Sequence, residues 1–143
     1  MLTLPLTDPT QAAARTAWGE ARGEGARGML AVLGVIGNRA ARPAWWGHDI
    51  AGVCMARWQF SCWNPSDPNR AQALTVTDSD PQFKKAQQMA ALLVSGALPD
   101  ITNGADSYYD TRMPRPPAWA APQFYRCTIG RHAFFRMGPF GEG

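Results

Sequence analysis

Lysine is almost missing from this 143-residue chain, where Lys84 and Lys85 stand against twelve arginines, so its positive charge rests on planar, forked guanidinium groups. Basic runs are missing as well. The arginines are scattered, and no nucleic-acid fold signature accompanies the formal net charge of +3, which argues against DNA or RNA as a partner. No apolar run approaches the roughly 20 residues that a membrane-spanning helix needs, so stable membrane insertion is not expected. Residues Met1 to Thr10 carry neither a basic stretch nor an apolar one and meet Pro5, Asp8 and Pro9 at once, which reads as synthesis in the cytoplasm without a signal peptide. Cysteine is scarce, and Cys54, Cys62 and Cys127 show no zinc spacing. Cys54 and Cys62 allow a short bridge or two buried free thiols. With His48 and His132 far from any acidic cluster at ligand spacing, no metal and no cofactor is expected, and His132 reads as a structural histidine.

What is present is ordinary globular material. A hydrophobic content of 45% with 17% charged residues in a chain of this length predicts one globular domain over residues 1–143 with a core of its own. Asp8-Pro9-Thr10-Gln11 reads as a helix start, with Asp8 capping, Pro9 in the first position and Gln11 where a capping-box partner would reach back. That helix runs to about Arg22. A second helix follows from about Gly25 to Ala40 and breaks at Arg42-Pro43; its Gly28, Gly34 and Gly37 suggest close approach by another helix. Trp45 to Ala56 allows a short helix around Asp49 to Val53, Trp58 to Ser61 alternates like an extended segment, and Asn64 to Asn69 is turn chemistry. The clearest helix starts at Pro81 behind a Ser79 or Asp80 cap. Phe83, Ala86, Met89, Ala90 and Leu93 share one of its faces, and Gly96 stops it. Prolines 114, 116, 117 and 122 enforce irregular loops, before a hairpin over Phe124 to Met137 turning near Gly130. The fold class is α+β, mainly α.

Glu20 stands near the end of the first helix in Trp18-Gly19-Glu20-Ala21-Arg22-Gly23-Glu24. A carboxyl there feels the negative end of the helix dipole, and an aromatic wall beside it would desolvate it. Both favour the protonated form that a general acid needs. On periodicity alone, Glu20 and Glu24 read as an ordinary solvated helix face with Arg22 or Arg27 nearby.

Three separated blocks add a resemblance. Glu20-Ala21-Arg22-Gly23-Glu24 is followed by Gly28, Ala31-Val32 and Asn38-Arg39. Ile50-Ala51-Gly52-Val53 leads to Gln59-Phe60-Ser61. Gly104-Ala105-Asp106-Ser107-Tyr108-Tyr109 precedes Trp119-Ala120 and Ile129-Gly130-Arg131-His132-Ala133-Phe134. In this order they resemble the SleB-type cell-wall hydrolases, the family of spore-cortex-lytic enzymes and many phage lysins. The Cys62-Trp63-Asn64-Pro65 extension is closer to the phage type.

The resemblance implies a lysozyme-like fold with Glu20 as the catalytic glutamate. It implies cleavage of peptidoglycan glycan strands between N-acetylmuramic acid and N-acetylglucosamine. Two-carboxylate hydrolysis needs a second acid; Glu24, Asp49, Asp67 and Asp106 are the candidates, and none lies in a block that the family uses so. A lytic transglycosylase with a single glutamate is therefore preferred over a hydrolytic muramidase, and a catalytically silent wall-binding virion component is the reading from another class. Gln59, Ser61, Tyr108 and Tyr109 are the expected substrate-binding residues. A monomer acting on the wall in the periplasm, reaching it by holin-dependent release as a phage endolysin, completes the expectation.

Overall fold

The computed structural model describes residues 2–143. Its first two helices are α1 (Pro9–Ala21) and α2 (Gly25–Ala40), joined by one 3-10 turn at Arg22–Glu24. Asp8 caps α1 by accepting from the Gln11 backbone N–H at 2.8 Å. Gln11 does not complete the expected capping box. Its side chain instead donates to Gln87 at 2.8 Å and accepts from Arg15 at 3.0 Å, because the start of α1 is packed against another helix rather than left in water. That helix is α5 (Pro81–Ser95), which Asp80 caps at the Phe83 N–H and Gly96 ends in the left-handed conformation.

Between them lie the short helices α3 (Ile50–Met55) and α4 (Asn69–Thr75). Asp49 caps α3 by accepting from Gly52 N–H at 2.7 Å. The sequence pattern did not predict α4, whose seven residues include just one buried position, Ala73, too few to print a helical period. What completes α4 comes from elsewhere: the guanidinium of the buried Arg15 donates to the carbonyls of Ala73, Leu74 and Val76 at its C-terminal end. These helices enclose a core of Trp18, Met29, Val32, Leu33, Ile36, Trp46 and Phe83 with the alanine face of α1.

A three-stranded antiparallel sheet lies beside this body. Its strands are β1 (Ser107–Asp110), β2 (Tyr125–Ile129) and β3 (His132–Phe135), in the order β1-β3-β2. The expected hairpin is β2 and β3, turning at Gly130 with φ 58°. Tyr108 pairs with Phe134 and Asp110 with His132 across β1 and β3. Ala31 and Val35 of α2 pack with Ala105, Ile129 and Phe134, so one face of α2 serves the sheet while the other serves the helical core.

The glycines of α2 do admit close neighbours: Gly28 faces Glu24 and the Ala21 end of α1, but not every such neighbour is a helix. A Cβ on Gly37 would meet Leu93 of α5 at 2.8 Å, whereas one on Gly34 would meet the Asp100 carboxylate at 2.7 Å. Asp100 accepts from Thr102 N and Oγ1, Gly104 N and Asn38 Nδ2 at 2.6–2.9 Å. It thereby ties the turn before β1 to α2. Among the described residues no helix is long and apolar enough to cross a membrane, and Cys54, Cys62 and Cys127 are free thiols.

Candidate active site

Where the helical body meets the sheet, an open cleft of about 590 Å³ is lined by residues that include Glu20, Arg39, Trp58, Gln59, Ser61, Tyr108, Tyr109, Asp110, Trp119 and His132. All five residues nominated from the sequence, Glu20 with Gln59, Ser61, Tyr108 and Tyr109, fall on this wall. They come from three elements far apart in the chain.

Glu20 occupies the last turn of α1. Its side chain reaches the cleft because Gly19 beside it has no Cβ; one there would stand 2.9 Å from Cys62 Cβ. That close approach brings the Cys62 backbone N–H to Glu20 Oε2 at 3.0 Å, with Ser61 Oγ at 3.3 Å from the same oxygen. On the other side the Tyr108 hydroxyl donates to Glu20 Oε1 at 2.7 Å. The surroundings thus differ from the aromatic wall expected of them: three neutral donors aim at the carboxyl group. Burial, the nearby Glu20 charge and the hydrogen bond to it push the Tyr108 hydroxyl well above the usual tyrosine range. The shift favours the un-ionised hydroxyl, which is the form that donates. Burial and the same carboxylate raise the Cys62 thiol far above its ordinary value, which removes it as a nucleophile.

The segment before Ser61 is not extended, as its alternation suggested. It is a turn passing into a 3-10 turn at Ser61–Trp63, and it contains Trp58 at φ 67°. The left-handed region is unfavourable for a bulky side chain and recurs at functional sites. Here it holds the indole out at the cleft rim, 61% exposed, with the Arg57 guanidinium 5.0 Å from the ring centroid. Gln59 accepts from Arg39 Nη1 at 3.2 Å. Arg39 also donates from Nε to the Asp106 carbonyl at 2.7 Å. Burial holds its guanidinium below the usual arginine range, opposed by the nearby Tyr108, Asp106 and Cys54, and it remains charged.

The candidate second carboxylates are engaged elsewhere. Asp106 is 1% exposed and accepts from the backbone N–H groups of Met137 and Gly138. Asp49 caps α3, and Asp67 accepts from Asn69 N–H at 2.8 Å. Glu24 Oε1 accepts from Arg131 N–H at 2.5 Å, while His132 Nδ1 lies 2.7 Å from Oε2 without an in-line hydrogen bond. Glu24 and His132 thus hold the β2–β3 turn against the start of α2, and the His132 ring meets Tyr108 edge-on at 4.9 Å.

Sequence reasoning passed over Asp110, Arg39 and Trp119. Asp110 does line the cleft, but Arg112 grips it through both oxygens at 2.6–3.1 Å. Those hydrogen bonds hold the Asp110 carboxyl well below the usual carboxylate range. Arg39 and Trp119 carried signals in the Asn38-Arg39 and Trp119-Ala120 blocks, whereas nothing local marked Asp110 as a cleft residue.

A glutamate at the end of a helix, facing an open cleft between a helical body and a small antiparallel sheet, is the arrangement of lysozyme-like domains. The family model described as Cell Wall Hydrolase matches residues 23–135, and the chain belongs to that family of peptidoglycan-lytic enzymes. The match includes Gln59, Ser61, Tyr108 and Tyr109 and begins three residues after Glu20. Two solved structures share the fold. One is the catalytic domain of the germination-specific lytic transglycosylase SleB from Bacillus anthracis, at TM-score 0.68 and 22% identity, covering 94% of this chain and 100% of that one. The other is the catalytic domain of the Bacillus cereus SleB protein, at TM-score 0.65 and 24% identity, covering 90% of this chain and 89% of that one. At these identities the likeness speaks for the fold alone. Among curated proteins nothing matches the chain.

Proposed function

We propose that the chain is a lytic transglycosylase that cuts peptidoglycan glycan strands between N-acetylmuramic acid and N-acetylglucosamine, with Glu20 as sole acid and base. The observation that carries this reading is the state of the two carboxyl groups lining the cleft. Glu20 is held by neutral donors alone, while Asp110 is locked to Arg112. A carboxylate whose two oxygens are both taken up by a guanidinium is poorly disposed either to activate water or to attack the anomeric carbon, which disfavours the two-carboxylate hydrolysis of a muramidase.

In this mechanism Glu20 gives its proton to the glycosidic oxygen as the bond to the muramoyl C1 breaks. The C6 hydroxyl of the same muramoyl ring then bonds to C1 and returns its proton to Glu20. The enzyme ends as it began, and the product carries a 1,6-anhydro end without consuming water. Tyr108, Ser61 and the Cys62 N–H fix the plane of the carboxyl group, so that one oxygen meets the leaving group without a search for orientation. Gln59, steadied by Arg39, and Tyr109, stacked on Phe135 at 5.8 Å, position the sugar.

The test is digestion of purified sacculi by the wild type and by Glu20→Gln, with mass spectrometry of the fragments. Anhydromuramoyl ends from the wild type and a loss of about a thousandfold or more in the variant are expected. Reducing ends would establish the muramidase instead, and undiminished activity in Glu20→Gln would remove Glu20 from the chemistry.

A further inference from the structure

The cleft that holds Glu20 does not end at Tyr108. A second cavity of about 480 Å³ shares Arg39, Gln59, Tyr108 and Trp119 with the first and extends to Trp45, Met137 and the turn Gly138–Gly141. Tyr108 forms part of both walls while bonded to Glu20, so the second cavity opens immediately beside the reacting carboxyl group. Its size suits a ligand of a few rings. At its far end stands Trp45, 60% exposed although it is among the largest apolar side chains in the chain. The indole is nevertheless held in place: its Nε1 donates to the Pro139 carbonyl, and its ring lies 5.4 Å from that of Trp46, which is fully buried. A fixed, exposed aromatic face next to neutral amide and backbone groups suits the apolar face of a pyranose and its acetamido group. Arg39 is the one charged side chain lining this cavity, and it is engaged with Gln59 and Asp106.

We propose that the second cavity is an extended saccharide subsite in which Trp45 is the stacking platform for N-acetylhexosamine rings beyond those bound at Glu20. The inference rests on the glycan-strand reading above and adds to it that the protein selects long strands over short fragments. Trp45 is thus a specificity-determining residue outside the reacting centre.

The experiment uses N-acetylglucosamine oligomers and calorimetric binding to the full-length Glu20→Gln protein, which bypasses turnover. That protein is expected to bind the hexamer more tightly than the trimer. Adding Trp45→Ala is expected to weaken hexamer binding about tenfold, in keeping with loss of one aromatic contact, and to leave the trimer unchanged. Trp45→Phe keeps a ring but loses the Nε1 donor, and it is expected to retain most of the hexamer affinity. If Trp45→Phe is as weak as Trp45→Ala, the hydrogen bond to Pro139 is what matters and the stacking platform is overturned. Equal hexamer affinity with and without Trp45 overturns the subsite while leaving the Glu20 cleft intact as a glycan site. Failure of both oligomers to bind the Glu20→Gln protein overturns the glycan reading together with the subsite.

Discussion

Tyr108 is a donor that cannot readily become an anion, since burial and the adjoining Glu20 charge both oppose loss of its proton. Its hydroxyl organises the carboxyl group it touches, and Tyr108→Phe removes that donor while preserving the ring against Phe134 and His132. The expected outcome is a fall in kcat of roughly 10- to 100-fold with little change in KM, measured on soluble glycan fragments; an unchanged kcat would end the positioning role. Gly19 offers a second test at the same scale. Helix propensity favours alanine there by about 1 kcal/mol, but overpacking against Cys62 costs about 1–3 kcal/mol. Contact therefore outweighs propensity, and Gly19→Ala is expected to lower both the melting temperature and the lytic rate, because the displaced Cys62 N–H no longer meets Glu20. Wild-type values of both would mean that the Cys62 wall yields freely. The five residues nominated from the sequence share one cleft wall, and each was singled out because it lies inside a short motif. Gly19 was not, since its importance comes from Cys62, a partner distant in sequence.

Helices with explicit ends were read closely from the sequence. The Asp8-Pro9 and Asp80-Pro81 starts and the Gly96 stop each act through backbone groups within one turn, so local chemistry sufficed. The turn holding Trp58 escaped because its alternation of side chains is also that of an extended segment, and the short helix α4 escaped because its last carbonyls are satisfied from outside by Arg15. The Asp100 turn before β1 is of the same kind. Burial alone would raise its carboxyl, but hydrogen bonds from Thr102, Asn38 and Gly104 together hold it below the ordinary aspartate value. A depressed folded-state pKa means that the native protein binds this proton less readily than the unfolded chain. The contribution is thus present above the unfolded value, near pH 4, and is lost as pH falls through the folded value. Asp100→Asn is expected to cost about 1 kcal/mol at pH 7, a figure reduced for the exposure of the site. The gap between variant and wild type should close on acidification; a gap in denaturant midpoints that stays constant down to pH 3 would contradict the assignment.

On the scale of the whole molecule, α2 couples the two halves. Val32, Leu33 and Ile36 belong to the helical core while Ala31 and Val35 belong to the sheet cluster, so neither half can lose its packing without exposing a face of the same helix. One cooperative transition is therefore expected in calorimetry, with matching calorimetric and van't Hoff enthalpies; two resolved transitions would contradict a single domain over residues 1–143. The sequence by itself determined the mainly α class, the limits of α1, α2 and α5, and the cell-wall hydrolase resemblance, because caps, periodicity and motifs act over a few neighbouring residues. Only the tertiary structure decided that Asp110 is held by Arg112 at the cleft wall, that Glu24 secures a β-turn, and that a second cavity runs from Tyr108 to Trp45. Those facts depend on which side chains the packed helices and sheet bring within a few ångströms of one another, and separation along the chain carries no trace of that distance.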